Sequence, residues 1–251
     1  MSLALTARGD ALVLDQVNHR IARFDPSGAP LTSWPLEVRA PRDLAVGPGG
    51  SVAVLGQGEA TLLGPDGRVR STQPLGALPD PAAASGLSLD ERGLWVEQGH
   101  AWEYLLGSSE KRDGRLSRDG ALLLSAGLAE AQAGTAWVRA LDAKTGQLRW
   151  QRRYAFAAPV LRLALLDSFE RGGLAFAAHV AREITPGHFA DEAMQLLCLA
   201  PDGAVLNTFT LPPPEGPEEA QRELAAGLDG TILYLHRTAS GAELLRLRCP
   251  D

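Results

Sequence analysis

The feature that most limits this chain is a short unit that recurs along it: an apolar strand-like run, a glycine-centred turn and a second run. It appears as "LALTARGDALVLD", "LAVGPGGSVAVLG", "LSLDERGLWVEQG", "LSRDGALLLSA", "LALLDSFERGGLAFAAH" and "LAAGLDGTILYLH". A second family of turns follows most of these, in "FDPSGAPL", "LGPDGRVR", "LDAKTGQLRW", "LAPDGAVLNTF" and "TASGAELL". Its glycines, Gly28, Gly67, Gly146, Gly203 and Gly241, lie 39, 79, 57 and 38 residues apart. The interval of 79 holds two units, with a degenerate turn near Gly107-Ser108-Ser109. Such turns have a mechanism: Pro presets φ, Asp bonds the nearby backbone, and Gly takes positive φ.

Each unit of about 40 residues therefore reads as strand a, tight turn, strand b, loop, strand c, tight turn, strand d. A lone four-stranded antiparallel sheet cannot bury both faces, whereas six arranged radially can, and they leave only short edges. The expected fold is all-β, a six-bladed β-propeller with little helix. It is expected to form one domain over 1–251, with blades near 1–38, 39–78, 79–113, 114–156, 157–212 and 213–251. The last unit supplies strands a, b and c but almost nothing for d, so its fourth strand is expected from residues upstream of Met1.

Two stretches resemble known repeats. "VLDQVNHRIARFDPSGAPL" (13–31) closely resembles an NHL repeat, with its strand, Asn-His-Arg corner and Asp-Pro-x-Gly turn. "ALDAKTGQLRWQ" (140–151) resembles a repeat of the quinoprotein (PQQ-type) propellers, with its Asp-x-x-Thr-Gly turn and following Trp. The NHL resemblance implies that Asn18-His19-Arg20 lies between strands b and c, where polar side chains can clasp a strand reversal. Trp150 is expected to pack between blades rather than to hold a quinone. Arg149, Arg152 and Arg153 are expected to guard an outer edge.

Charge narrows the partners. With 24 basic against 30 acidic residues the net charge is −6, and no basic stripe suited to nucleic acid stands out. No apolar run reaches the roughly 18 residues that cross a bilayer. Residues 1–10 have no basic flank and apolar core of a signal peptide. Cys198 and Cys249 do not make a disulfide framework; two half-buried free thiols are expected, with one bridge stapling the C-terminus as the sharper alternative. Location leans toward the periplasm, the cell surface or secretion, on the habits of such propellers.

Function would sit in the longer connections. The tight turns belong to a–b and c–d, whereas Gly127–Gly134, Ala181–Ala193, Gln73–Ser85 and Pro212–Arg222 join b to c or d to a. Long loops tend to carry function, and this points to a binding face with Glu130, Arg182, His188 and Phe189. The acidic 212–223 segment reads as a solvated crossover with a short helical turn. Counting six residues on from each a–b glycine aligns Asp15, His179 and His236 at ends of strand b. Two imidazoles and a carboxylate could hold a divalent metal, as some NHL-type lyases and gluconolactonase-like propellers do. There is no Gly-x-Ser-x-Gly, phosphate-cradling loop or Cys-x-x-Cys. The leading expectation is a non-catalytic bacterial propeller, without cofactor, that binds a protein, peptide or glycan. The alternative is a metal-dependent hydrolase or lyase using Asp15, His179 and His236. RNA binding is disfavoured by the acidic balance.

Overall fold

The computed structural model describes residues 1–130, 134–213, 222–238 and 241–250. Along the chain run β1 (Ser2–Leu5), β2 (Ala11–Asp15), β3 (Arg20–Phe24), β4 (Pro30–Pro35), β5 (Asp43–Val46), β6 (Val52–Leu55), β7 (Glu59–Leu63) and β8 (Val69–Pro74). They continue as β9 (Ala84–Asp90), β10 (Gly93–Gln98), β11 (Trp102–Leu105), β12 (Lys111–Arg112), β13 (Arg115–Leu116), β14 (Leu122–Leu128), β15 (Thr135–Asp142) and β16 (Leu148–Ala155). The last are β17 (Val160–Ser168), β18 (Leu174–Thr185), β19 (His188–Leu199), β20 (Val205–Leu211), β21 (Leu224–Ala226), β22 (Thr231–Thr238) and β23 (Gly241–Arg248). The helical content among the described residues is three single 3-10 turns, at 48–50, 75–77 and 81–83.

The strands form six sheets in simple up-and-down order: β1–β4, β5–β8, β9–β12, β13–β16, β17–β20 and β21–β23. The last has three strands among the described residues. Six such antiparallel blades make this a six-bladed β-propeller. Burial follows strand position. Inner strands such as β1 (Ser-Leu-Ala-Leu), first in its sheet, and β6 (Val-Ala-Val-Leu), second in its sheet, are buried throughout, so they read as largely apolar runs. Fourth strands such as β4 (Pro-Leu-Thr-Ser-Trp-Pro) and β8 (Val-Arg-Ser-Thr-Gln-Pro) are mostly exposed and polar. The c–d turns are fixed by aspartates: Asp25 Oδ1 accepts the Ser27 and Ala29 amides at 2.8 and 2.9 Å, and Gly28 takes φ +88°.

The described residues fall into two compact units. The first holds Met1–Arg112 and residues 222–227. Its core interleaves Leu12, Leu14, Ile21, Leu44, Val52 and Val54, then Leu55, Leu75, Leu87 and Val96. A polar clasp ties its leading strands together. Asp43 Oδ1 accepts the Ser2 hydroxyl at 2.7 Å, and Oδ2 accepts the Leu87 amide at 2.9 Å and pairs with Arg222 at 3.0 Å. The Leu3 amide donates to the Arg222 carbonyl at 2.8 Å. A Cβ on Gly86 would stand 2.9 Å from the Arg222 guanidinium, so the clasp needs glycine there. Arg222 is thus a structural cation rather than part of a solvated crossover; residues 214–221 of that segment lie outside the described residues.

The second unit comprises the described residues of 113–216 and 228–250. Its core gathers Val138, Tyr154, Val160, Leu165, Phe176 and Leu197. Trp150 packs between blades as expected: its Nε1–H donates to the Pro201 carbonyl at 2.8 Å, and a Cβ on Gly203 would lie 2.8 Å from its ring. Arg152 does more than guard an edge, because its Nε donates to the Asp202 carbonyl at 2.8 Å. The thiol expectation is corrected. Cys198 and Cys249 are both buried and form a disulfide, their Cα atoms 5.5 Å apart. Strand β19 and the end of β23 bring them together across a separation of 51 residues, a proximity that Cys spacing alone does not reveal.

Candidate functional site

The segment Ala181–Ala193, expected as an irregular connection, is instead a β-ribbon. The lower half of β18, Leu174–Ala178, is buried on both faces, and the same holds for Leu196–Leu199 of β19. Partners on either side stop early: β17 pairs no further than Val160 with Val180, and β20 no further than Leu211 with Met194. Beyond that point, among the described residues, β18 and β19 pair only with each other, through Arg182–Ala190, Glu183–Phe189 and Thr185–His188. Ile184-Thr185 and His188-Phe189 flank a Pro186-Gly187 turn, a hairpin signature that the polar character of the segment masks.

Local contacts hold the ribbon in shape. Two register shifts interrupt the pairing, and such bulges increase twist and discourage edge pairing. Asp191 takes φ +56°, an uncommon value for a non-glycine residue. Its Oδ2 accepts Arg182 Nη2 at 2.7 Å and Nε at 3.1 Å. Glu183 Oε1 accepts the Gly187 amide at 2.9 Å. With its charges engaged locally, the ribbon offers its apolar side chains to solvent: Ile184 is 63% exposed and Phe189 42%. His188 is exposed as well. Within the same unit, Leu128 and Glu130 are exposed where β14 ends, and residues 131–133 lie outside the described residues.

The residues considered as metal ligands have other engagements. Asp15 closes β2, accepting the Asn18 amide at 3.1 Å, Asn18 Nδ2 at 2.8 Å and Arg20 Nε at 2.9 Å. Burial pushes its carboxyl up, yet the bonds from Asn18 and Arg20 outweigh this and hold it below the ordinary carboxylate range. His19 takes φ +48°, and its carbonyl accepts the Leu36 amide at 2.8 Å. The Asn18-His19-Arg20 corner is therefore a clasp. His179 lies within β18, Nε2 at 2.8 Å from Glu192. His236 lies within β22, buried, its ring 5.7 Å from that of Tyr234. Its Nε2 is buried without a hydrogen-bond partner among the described residues. Among those residues, no three His, Cys, Asp or Glu side chains are grouped to hold one ion.

Sequence reasoning missed two charged clusters. One is the Asp43–Arg222–Ser2 clasp. In the other, Arg112 lies 3.8 Å from the centre of the buried Trp95 ring and pairs with Asp90 at 2.8 Å and with Glu103 at 2.5 Å. Their one sequence signal is a charge placed inside an apolar strand pattern, as at Asp43 in "RDLAV" and Glu103 in "WEYL".

No family model matches the chain, and a search of curated proteins finds no match. Solved structures do resemble it. A chain of the mitotic checkpoint complex aligns with TM-score 0.57 at 11% identity, over all of this chain and 87% of that one. Kuenenia stuttgartiensis hydrazine synthase gives 0.54 at 13% identity, over 94% and 76%. The RRP9 WD40 repeats give 0.52 at 12% identity, over 94% and 73%. At these identities the likeness is one of fold. No described helix is long and apolar enough to cross a membrane.

Proposed function

We propose that this propeller is a non-catalytic binding module whose principal contact element is the β18–β19 ribbon, with a protein or peptide as partner. One observation carries the reading: Ile184 and Phe189 are exposed at the free end of a ribbon that no neighbouring strand among the described residues pairs with. Large apolar side chains held by a rigid element lose little entropy on docking. A scaffold of repeated blades has no need of such an extension, and this argues for function at the extension rather than in the fold. The Cys198–Cys249 bridge supports a location in an oxidising compartment.

The test is a photo-crosslinking amino acid placed at Phe189, with Val69, an exposed residue of β8, as the control position. The reading expects a discrete protein adduct at 189 that excess unlabelled protein competes away, and none at 69. Equal adducts at both positions would refute it, and sugar binding without a protein adduct would move the surface to a glycan role. Metal analysis of the purified protein separates the alternative, a hydrolase or lyase at Asp15, His179 and His236: stoichiometric metal and metal-dependent stabilisation favour that enzyme over a binding module.

A further inference from the structure

Among the described residues, one sheet of the six stops a strand early. Five sheets close with a fourth strand, whereas β21–β22–β23 has three among those residues, so β23 forms its edge. The pairing of β23 is that of a third strand rather than of a last one. The outermost strands β4, β8, β16 and β20 each carry a register shift against their neighbour. The third strands β3, β7, β11 and β15 pair with the second strand without one. In the same unbroken way β23 pairs with β22 over eight residues, from Thr231–Arg248 to Thr238–Gly241. A bulge is a common protection of an open edge, and β23 has none.

Backbone and side chains are laid out to match. The Cys249 amide donates to the Gly230 carbonyl at 2.9 Å, so Gly230 and Cys249 form a hydrogen-bonded pair. Such pairs alternate along an antiparallel ladder, so the amides and carbonyls of Ala242, Leu244 and Arg248 point away from β22. Leu244, Leu245 and Leu247 are half-buried, whereas covered third strands bury apolar residues such as Leu63 and Val138. Arg246 and Arg248, two residues apart, are exposed on one face of the strand, and Glu243 is exposed on the other. The disulfide from Cys249 to Cys198 of β19 fixes the end of β23, so little freedom remains to be lost on pairing.

We propose that the outer side of β23 receives an extended strand of a partner protein, antiparallel as in the other five sheets, with acidic residues two apart opposite Arg246 and Arg248 and a basic one opposite Glu243. Main-chain hydrogen bonds give such pairing its affinity, and side chains select the partner. Opposite charges across the pair attract and like charges repel, so these three residues turn away an unmatched strand and favour a matched one. A second copy does not fit this pattern. Two-fold antiparallel pairing of β23 with itself sets even-numbered residues against even and odd against odd, so Glu243 faces neither Arg246 nor Arg248. This surface shares no residue with the β18–β19 ribbon, and it stands independently of that reading.

Two peptides of matched and reversed charge, Thr-Glu-Thr-Glu-Thr-Val-Lys-Thr and Thr-Lys-Thr-Lys-Thr-Val-Glu-Thr, test the proposal on the full chain by calorimetry and amide exchange. Saturable binding of the first is expected with Kd below about 1 mM, and binding of the second about tenfold weaker. In the complex, exchange slows at the Ala242, Leu244 and Arg248 amides. Leu244→Pro removes an outward donor without touching a bond to β22, so it abolishes binding while the Tm is retained. Arg246→Glu with Arg248→Glu reverses the preference toward the second peptide. Should Leu244→Pro fail to fold, this exposed pair decides on its own. No saturable binding, binding without amide protection, or binding indifferent to peptide charge overturns the proposal. A dimer of the chain that Leu244→Pro dissociates assigns the edge to a second copy and overturns it as well.

Discussion

At the scale of single residues, the fold rests on carboxylates whose work is local. Asp25, Asp66, Asp119, Asp142 and Asp229 accept backbone amides in tight turns, and Asp15 and Asp90 also accept from arginine. All seven are held below the ordinary value of 3.8. A depressed folded value means that the unfolded chain binds more protons, so this stability is complete above 3.8 and lost as pH falls through the lowered values. Thermal scans should give a flat Tm near neutrality that declines below about pH 4. Tyr154 acts at the other end. Burial pushes its phenol up to about 12, and its hydroxyl donates to the Gly203 carbonyl at 2.7 Å. That contribution is present below about pH 10 and lost between 10 and 12, which subtracting the phenolate titration of Tyr154→Phe from that of the parent would show. Asp43 is a buried carboxylate with three partners, Ser2, Leu87 and Arg222. Asp43→Ala leaves Arg222 without its carboxylate, and urea unfolding should report a loss of about 3–5 kcal/mol.

At the scale of elements, sequence patterns proved uneven guides. The Asp-Gly turns were legible because Gly and Asp have few other uses at such spacing. The clasp at Asp15, Asn18 and Arg20 was legible from its corner, and Trp150 from its place in a strand pattern. The ribbon was not, because alternation weakens wherever neither face of a strand is buried, as over Arg182–Phe189. The disulfide was hidden for a different reason: Cys198 and Cys249 meet through sheet geometry, which sequence spacing does not encode. Closing a loop of 51 residues should stabilise the chain by about 4 kcal/mol in the chain-entropy model, so Cys198→Ser should lose nearly that much in denaturant unfolding. Ile184→Ser with Phe189→Ser should change stability by less than about 0.5 kcal/mol, since both side chains are exposed.

At the scale of the whole molecule, the repeat made the six-sheet architecture readable, whereas the candidate site has no repeat to announce it. Repetition explains the difference. Blades share turns, buried leading strands and polar outer strands, so each repeat reinforces the evidence for the others. Departures from the repeat, such as the ribbon after Val180, carry no periodic signal. Of the residues expected on the binding face, Arg182, His188 and Phe189 lie on the ribbon, whereas Glu130 lies just beyond β14. The central claim is that binding belongs to an element added to the scaffold. It is tested most directly by the affinity of a trimmed chain, with Arg182–Ala190 replaced by Asn-Gly, for the partner captured at position 189. The account predicts unchanged unfolding and a loss of affinity beyond about 100-fold; affinity within about threefold of the parent would contradict it.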